Sequence, residues 1–235
     1  MGNVRLPTTT VVGRTDQIER LAEFLAERRL VTIIGPGGVG KTTLARVVAT
    51  SAPPADGSWF VDLVPTSSDS DVLDAVANAL GLRRRNGQTL ERSVLDALAV
   101  RRILLVIDNC ERVLGGVALM VQELLETAPG VNVLATSREA LGIPGEQVFP
   151  LAPLSTVSGR AAGELFIERA RAAQPDLSLS VDDRTAIEAI CERLDGLLLA
   201  IELAATRRRC LRRGTHARGR RTLQRLRTGE LVRDC

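Results

Sequence analysis

Gly35-Pro36-Gly37-Gly38-Val39-Gly40-Lys41-Thr42 has the spacing G-x-x-x-x-G-K-T, the Walker A pattern of phosphate-gripping loops. Glycines reach backbone conformations that side chains forbid, so successive N–H groups can turn inward around a phosphate. A helix beginning at the loop's end adds unsatisfied donors and a positive dipole end. Lys41 would reach the β- and γ-phosphates of a nucleotide, and the Thr42 hydroxyl would sit on Mg²⁺; Thr43 completes the candidate phosphate-binding set. Lys41 is also the sole lysine among 31 basic residues, the other thirty being arginine. A planar guanidinium is a poor substitute for a compact ammonium between two phosphates, which explains a lysine here in a chain that otherwise avoids it.

Four more positions are candidates for chemistry. Asp108 follows the apolar run Ile103–Ile107, and an acid at the end of such a strand downstream of a P-loop is the Walker B arrangement. Asp108 would hold Mg²⁺ through its water shell; the lesser alternative is an acid that merely caps the next loop. Glu111 or Asn109 could orient an attacking water, and the residues do not choose between them. Arg138 follows the run Asn132–Ala135 and the pair Thr136-Ser137. Polar residues there face the same crevice as the P-loop, because ligands lie at the carboxyl ends of parallel strands. An arginine after a strand is by itself an ordinary surface residue, but at this place it is a candidate contact to a γ-phosphate.

The elements that must position these residues follow from periodicity. Leu30–Ile34 reads as a buried strand before the loop, and Leu44, Val47 and Val48 form one helix face behind it. Upstream, Ile18, Leu21, Ala22 and Leu25 line a helix with Asp16 and Glu19 as a capping-type pair and Arg28-Arg29 at its end. Trp59–Val64 is the second strand; Asp69 to Asp71 cap a helix stopped by Gly81, and Leu90, Val94, Leu95 and Leu98 mark another. The run Ile103–Ile107 is apolar on both faces and so belongs inside a parallel sheet. Val117, Met120, Val121, Leu124 and Leu125 stripe the next helix, and Gln147–Phe149 is a fifth strand. This alternation predicts an α/β domain over residues 1–152: a P-loop NTPase three-layer parallel sheet with helices on both faces. Residues 153–206 follow as a small all-helical subdomain carrying Leu165, Phe166, Ala170, Ile187, Ile190, Cys191 and Leu194 on its helix faces.

With 45% hydrophobic and 25% charged residues the chain has an ordinary globular composition. No apolar run approaches the roughly 18 residues of a membrane span, and no signal-peptide core follows Met1, so a cytoplasmic protein is expected. Cysteines 110, 191, 210 and 235 have neither metal nor redox spacing. The net charge of +3 conceals an asymmetry. Residues 206–235 hold eleven Arg against Glu230 and Asp234, a balance of +9, leaving −6 for residues 1–205. Residues 207–235 show no helix or strand period. Their composition fits a disordered segment, a basic arm, or translation out of frame. No nucleic-acid-binding motif supports the arm, so direct DNA binding by this chain is not expected.

In order along the chain, Val12-Gly13-Arg14, GPGGVGKTT, LLVIDNCE, ATSREALGIPGE and LDGLLLAIELAA resemble the STAND class of signalling ATPases. They are most similar to the NB-ARC-like modules of bacterial LuxR-type and adenylate-cyclase-linked regulators. The resemblance covers residues 7 to 206. It implies a slow ATPase acting as an ATP/ADP switch, with ADP holding a closed form and ATP opening it for self-association. It places Val12 and Arg14 against adenine and Arg138 on the γ-phosphate. Leu198 stands where the family's helical subdomain has a proline near the base, and Asn109 where many relatives have a second acid.

Overall fold

The computed structural model describes residues 2–84, 87–157 and 161–206. Arg85 and Asn86 of the predicted exposed connection lie outside them, as does the whole of the predicted tail, 207–235. The chain divides into two compact units, Met1–Ala152 and Pro153–Cys235.

Five strands form the first unit's sheet: β1 (Leu30–Ile34), β2 (Ser58–Asp62), β3 (Ile103–Asp108), β4 (Val131–Ser137) and β5 (Glu146–Pro150). Every pairing is parallel and the order is β2-β3-β4-β1-β5. Around it lie α1 (Thr15–Glu27), α2 (Lys41–Ser51), α3 (Val72–Ala79), α4 (Leu90–Ala99) and α5 (Leu114–Thr127). This is the expected P-loop NTPase sheet with its helices. All six residues of β3 are buried, as an interior strand covered on both faces requires. Ile103, Leu105 and Ile107 join one cluster with Val76 of α3, Val94 of α4 and Val117 and Val121 of α5. Truncating one such leucine to alanine typically costs about 2–5 kcal/mol.

Leu63 N–H donates to the carbonyl of Asp108 just beyond the paired residues Asp62 and Asp108, so β2 and β3 end level with each other. β4 inserts between β1 and β3, with Ile33 opposite Thr136 and Leu105 opposite Val133. The carboxyl ends of the P-loop strand and the Asp108 strand are therefore separated by Thr136 and Ser137.

Three local expectations at α1 are corrected. Arg14, not an Asp16–Glu19 pair, occupies the N-cap position, and no side chain caps the helix. Ala22 faces solvent, while Phe24 turns inward and packs edge-on against Phe149, ring centroids 5.9 Å apart. The helix also ends at Glu27 with no basic residue in its last turn. Arg29 serves another helix instead: its guanidinium donates to the carbonyls of Leu125 (2.7 Å), Ala128 (2.7 Å) and Val131 (3.1 Å), closing the end of α5 and the start of β4. Those of Leu125 and Ala128 are helix-end carbonyls that lack partners within the helix. The short 3-10 turn Asp69–Asp71 that leads into α3 is closed by a reciprocal capping box between Ser68 and Asp71, and Asp71 takes the N-cap position of α3.

In the second unit, α6 (Ala161–Ala173) packs against both α7 (Val181–Arg193) and α8 (Leu198–Thr206), and Leu165, Phe166, Ile187, Cys191 and Ile201 are buried. Ser180 and Asp183 cap α7 reciprocally. The turn into α8 needs left-handed backbone at Asp195 and Gly196, and a Cβ at Gly196 would lie 2.1 Å from the Leu154 carbonyl oxygen. Only glycine fits there.

Candidate functional site

The phosphate loop leaves β1 at Gly35 and enters α2 at Lys41. Gly38 (φ 76°) and Gly40 (φ 101°) take the left-handed conformations that turn successive amides to one side, and Gly40 is the N-cap of α2. Gly35 answers to a different constraint: a Cβ there would meet the Leu151 carbonyl oxygen at 2.6 Å. Lys41 Nζ folds back over the loop, donating to the carbonyls of Gly35 (2.7 Å) and Pro36 (3.1 Å). Burial holds its pKa below the usual lysine value, with Glu111 and Asp108 opposing that shift and Arg138 adding to it. One ammonium thus feels all three charged residues singled out from sequence.

Asp108 is 3% exposed and densely bonded. Thr42 Oγ1 donates to it, 2.8 Å from Oδ1 and 2.9 Å from Oδ2. Thr136 Oγ1 also donates to Oδ1, and Asn109 Nδ2 donates to Oδ2 at 3.0 Å. Burial raises the Asp108 pKa and Asp62 adds to the rise, whereas the Thr136 and Thr42 hydroxyls and Arg46 hold it down. The donor set, one hydroxyl in contact with one carboxylate, fits Mg²⁺, which takes one or two protein oxygens and fills its octahedron with water and phosphate. Among the described residues no group of three or more His, Cys, Asp or Glu could hold a metal by protein side chains alone.

Asn109 adopts left-handed backbone (φ 65°), and its N–H donates to Thr136 Oγ1 at 3.2 Å. Its Nδ2 reaches Asp62 Oδ1 (3.3 Å) as well as Asp108. Glu111, in the turn Cys110–Arg112, pairs with Arg138: Oε1 is 3.4 Å from Nε. Arg138 Nη2 lies 3.6 Å from where a Cβ on Gly37 would be, so the guanidinium reaches the loop. Arg14 is 4% exposed and donates from Nη2 to the Val39 carbonyl at 3.2 Å, which ties the Val-Gly-Arg segment to the phosphate loop; burial lowers its pKa. Val12 and Thr43 are half-buried in this unit, and Leu198 is the first residue of α8 in the other.

Two participants were not among the sequence candidates. Asp62 is paired in register with Asp108 and linked to it through Asn109. Expecting β2 to run on to Val64 hid that this acid closes the strand. Arg46, with its guanidinium carbon 4.1 Å from the Phe60 ring centroid, faces Asp108 from α2. Helix periodicity assigns such an arginine to solvent.

Sheet order, loop and acid together make a P-loop NTPase fold. Residues 24–140 match the protein-family model described as an AAA domain. A provisionally named HTH-type transcriptional regulator of Mycobacterium tuberculosis is 42% identical over 188 residues, 80% of this chain and 21% of that protein. The chain thus spans about a fifth of that relative's length. Among solved structures, the Walker-type ATPase PABY2304 of Pyrococcus abyssi superimposes with a TM-score of 0.64 at 15% identity, over 99% of this chain and 77% of that one. A STAND protein with a tetratricopeptide repeat sensor from Pyrococcus horikoshii gives 0.51 at 15% identity, over 86% and 30%. At such identities the likeness shows the fold.

Proposed function

We propose that this chain is the nucleotide-binding switch of a STAND-type regulator, taking up ATP or ADP with Mg²⁺ and hydrolysing ATP slowly. The observation that carries the reading is the convergence of Lys41, Thr42, Asp108 and Arg138 on one glycine loop. The five motifs in order along the chain support the STAND class, and the name of the mycobacterial relative supports a regulatory setting. Self-association on ATP binding belongs to the same reading.

In this scheme the inward amides of residues 37–43 and the Lys41 ammonium would bind the phosphates, and Thr42 and Asp108 would hold Mg²⁺. When bound, the ion offsets charge on the β- and γ-phosphates. Arg138 stabilises charge building on the transferred group. A water oxygen bonds to the γ-phosphorus, the bond to the β–γ bridging oxygen breaks with its electron pair leaving on ADP, and the water proton passes to a base. Glu111 suits that task better than Asn109: its Oε2 is buried without a hydrogen-bond partner, whereas the Asn109 amide is bonded to Asp62 and Asp108. Val12 and Arg14 would lie toward the base.

Thermal unfolding with nucleotide tests the reading. ADP and ATP at a thousand times their Kd should each stabilise the native chain by about 4 kcal/mol; no shift with either removes it. A second reading, a module that binds nucleotide without turnover, draws on Asn109 standing beside Asp108 where a second acid would serve hydrolysis. Single-turnover assays with γ-labelled ATP separate the two, since binding without phosphate release would favour the second.

A further inference from the structure

Glu111 uses its two oxygens differently. Oε1 faces Arg138 Nε at 3.4 Å, while Oε2 is buried with no partner. The contact is made through Nε, the root of the guanidinium fork. The terminal nitrogens are left to extend past it, and Nη2 is the atom that approaches Gly37 of the phosphate loop. Arg138 is otherwise a long, flexible side chain, 68% exposed, at the end of a strand, whereas Glu111 is only 19% exposed and set in a short turn. The less mobile partner holds the more mobile one. An arginine free in solvent samples many rotamers and loses that freedom when it binds a phosphate; one already held at Nε loses less.

We propose that Glu111 is a positioning residue for Arg138, aiming its fork over the phosphate loop, so that preference for a triphosphate over a diphosphate depends on Glu111 as well as on Arg138. The inference rests on the nucleotide-switch reading, and it adds a role distinct from proton acceptance at Oε2. Its sign opposes simple electrostatics: removing a negative charge beside an anion site should tighten binding of both nucleotides, whereas removing the aiming contact should selectively weaken binding of the triphosphate.

The test is the ratio of Kd for ADP to Kd for the non-hydrolysable β,γ-imido analogue of ATP, measured with Mg²⁺ on the full chain and its variants. Glu111→Ala should lower this ratio about two- to fivefold, the range of a partly exposed ion pair. Glu111→Gln keeps the size of the side chain but removes the charge of the ion pair, and should lower the ratio in the same direction. Arg138→Ala should lower the ratio, and adding Glu111→Ala to it should change nothing further. An unchanged or raised ratio in Glu111→Ala overturns the proposal, as does a Glu111 effect that survives in the Arg138→Ala background. Circular dichroism and nucleotide-free melting temperatures that match wild type certify the fold of the variants. A wild-type chain that binds neither nucleotide overturns the switch reading itself, whereas one that binds both with no effect of Glu111 overturns only this inference.

Discussion

Thr42 at the start of α2 donates its hydroxyl hydrogen bond to Asp108 at the end of β3, 2.8 Å from Oδ1 and across 66 positions of sequence. The contact joins the two halves of the proposed magnesium site before any ion is considered. It also sets a conflict, because the carboxylate it needs is almost fully buried.

That conflict gives a pH signature. Burial raises the folded-state pKa of Asp108, so the native chain binds this proton more tightly than the unfolded chain. The contribution of Asp108 to stability is most favourable below the ordinary carboxylate range and declines as pH rises through that range toward the raised value. In urea titrations with a chelator present, wild type should gain stability relative to Asp108→Asn as pH falls from 7 to 4. A pH-independent difference would mean that the carboxylate is not buried as described.

Lys41→Ala should abolish the nucleotide-dependent rise in melting temperature, removing the whole of the roughly 4 kcal/mol expected at a thousand times Kd. Lys41→Arg should not restore it, because a planar fork cannot occupy the place of a compact ammonium bonded to Gly35 and Pro36. Differential scanning fluorimetry with ADP and ATP reads both variants.

Arg29→Ala should destabilise the first unit by about 2 kcal/mol, since hydrogen bonds involving a charged donor contribute about 1.5–3 kcal/mol each and water can replace only part of them. The triphosphate-to-diphosphate preference should stay as in wild type, because Arg29 braces α5 and β4 at positions remote in the strands from Thr136 and Arg138. Chemical denaturation with a parallel nucleotide titration checks the pair of outcomes.

Cys110 and Cys191 are both buried, and burial pushes their thiols up, that of Cys191 to about 11. At pH 8 neither should react with iodoacetamide in the native chain, and both should react after unfolding. Peptide mass mapping tells these sites from Cys210 and Cys235. Native modification of Cys110 would contradict its place beneath the Asp108 turn.

The glycine loop, its lysine and the alternation of apolar runs with helix stripes were legible because each depends on neighbours within a few residues. Gly38 and Gly40 carry their conformational freedom in their own backbone, and β3 shows its burial in six consecutive apolar or strand-closing positions. Asp108 could be assigned from a strand ending in an acid. The choice between Glu111 and Asn109 could not, because it turns on Asn109 taking left-handed backbone and finding Asp62, 47 positions earlier. Arg29 illustrates the same limit: in sequence it is a cation at a helix end, and only packing shows that the helix it closes is α5. Local sterics and hydrophobic period write themselves into short stretches of chain. Strand order, and with it the placing of Thr136 between the two phosphate-site strands, is decided by which distant segments bury each other's surface.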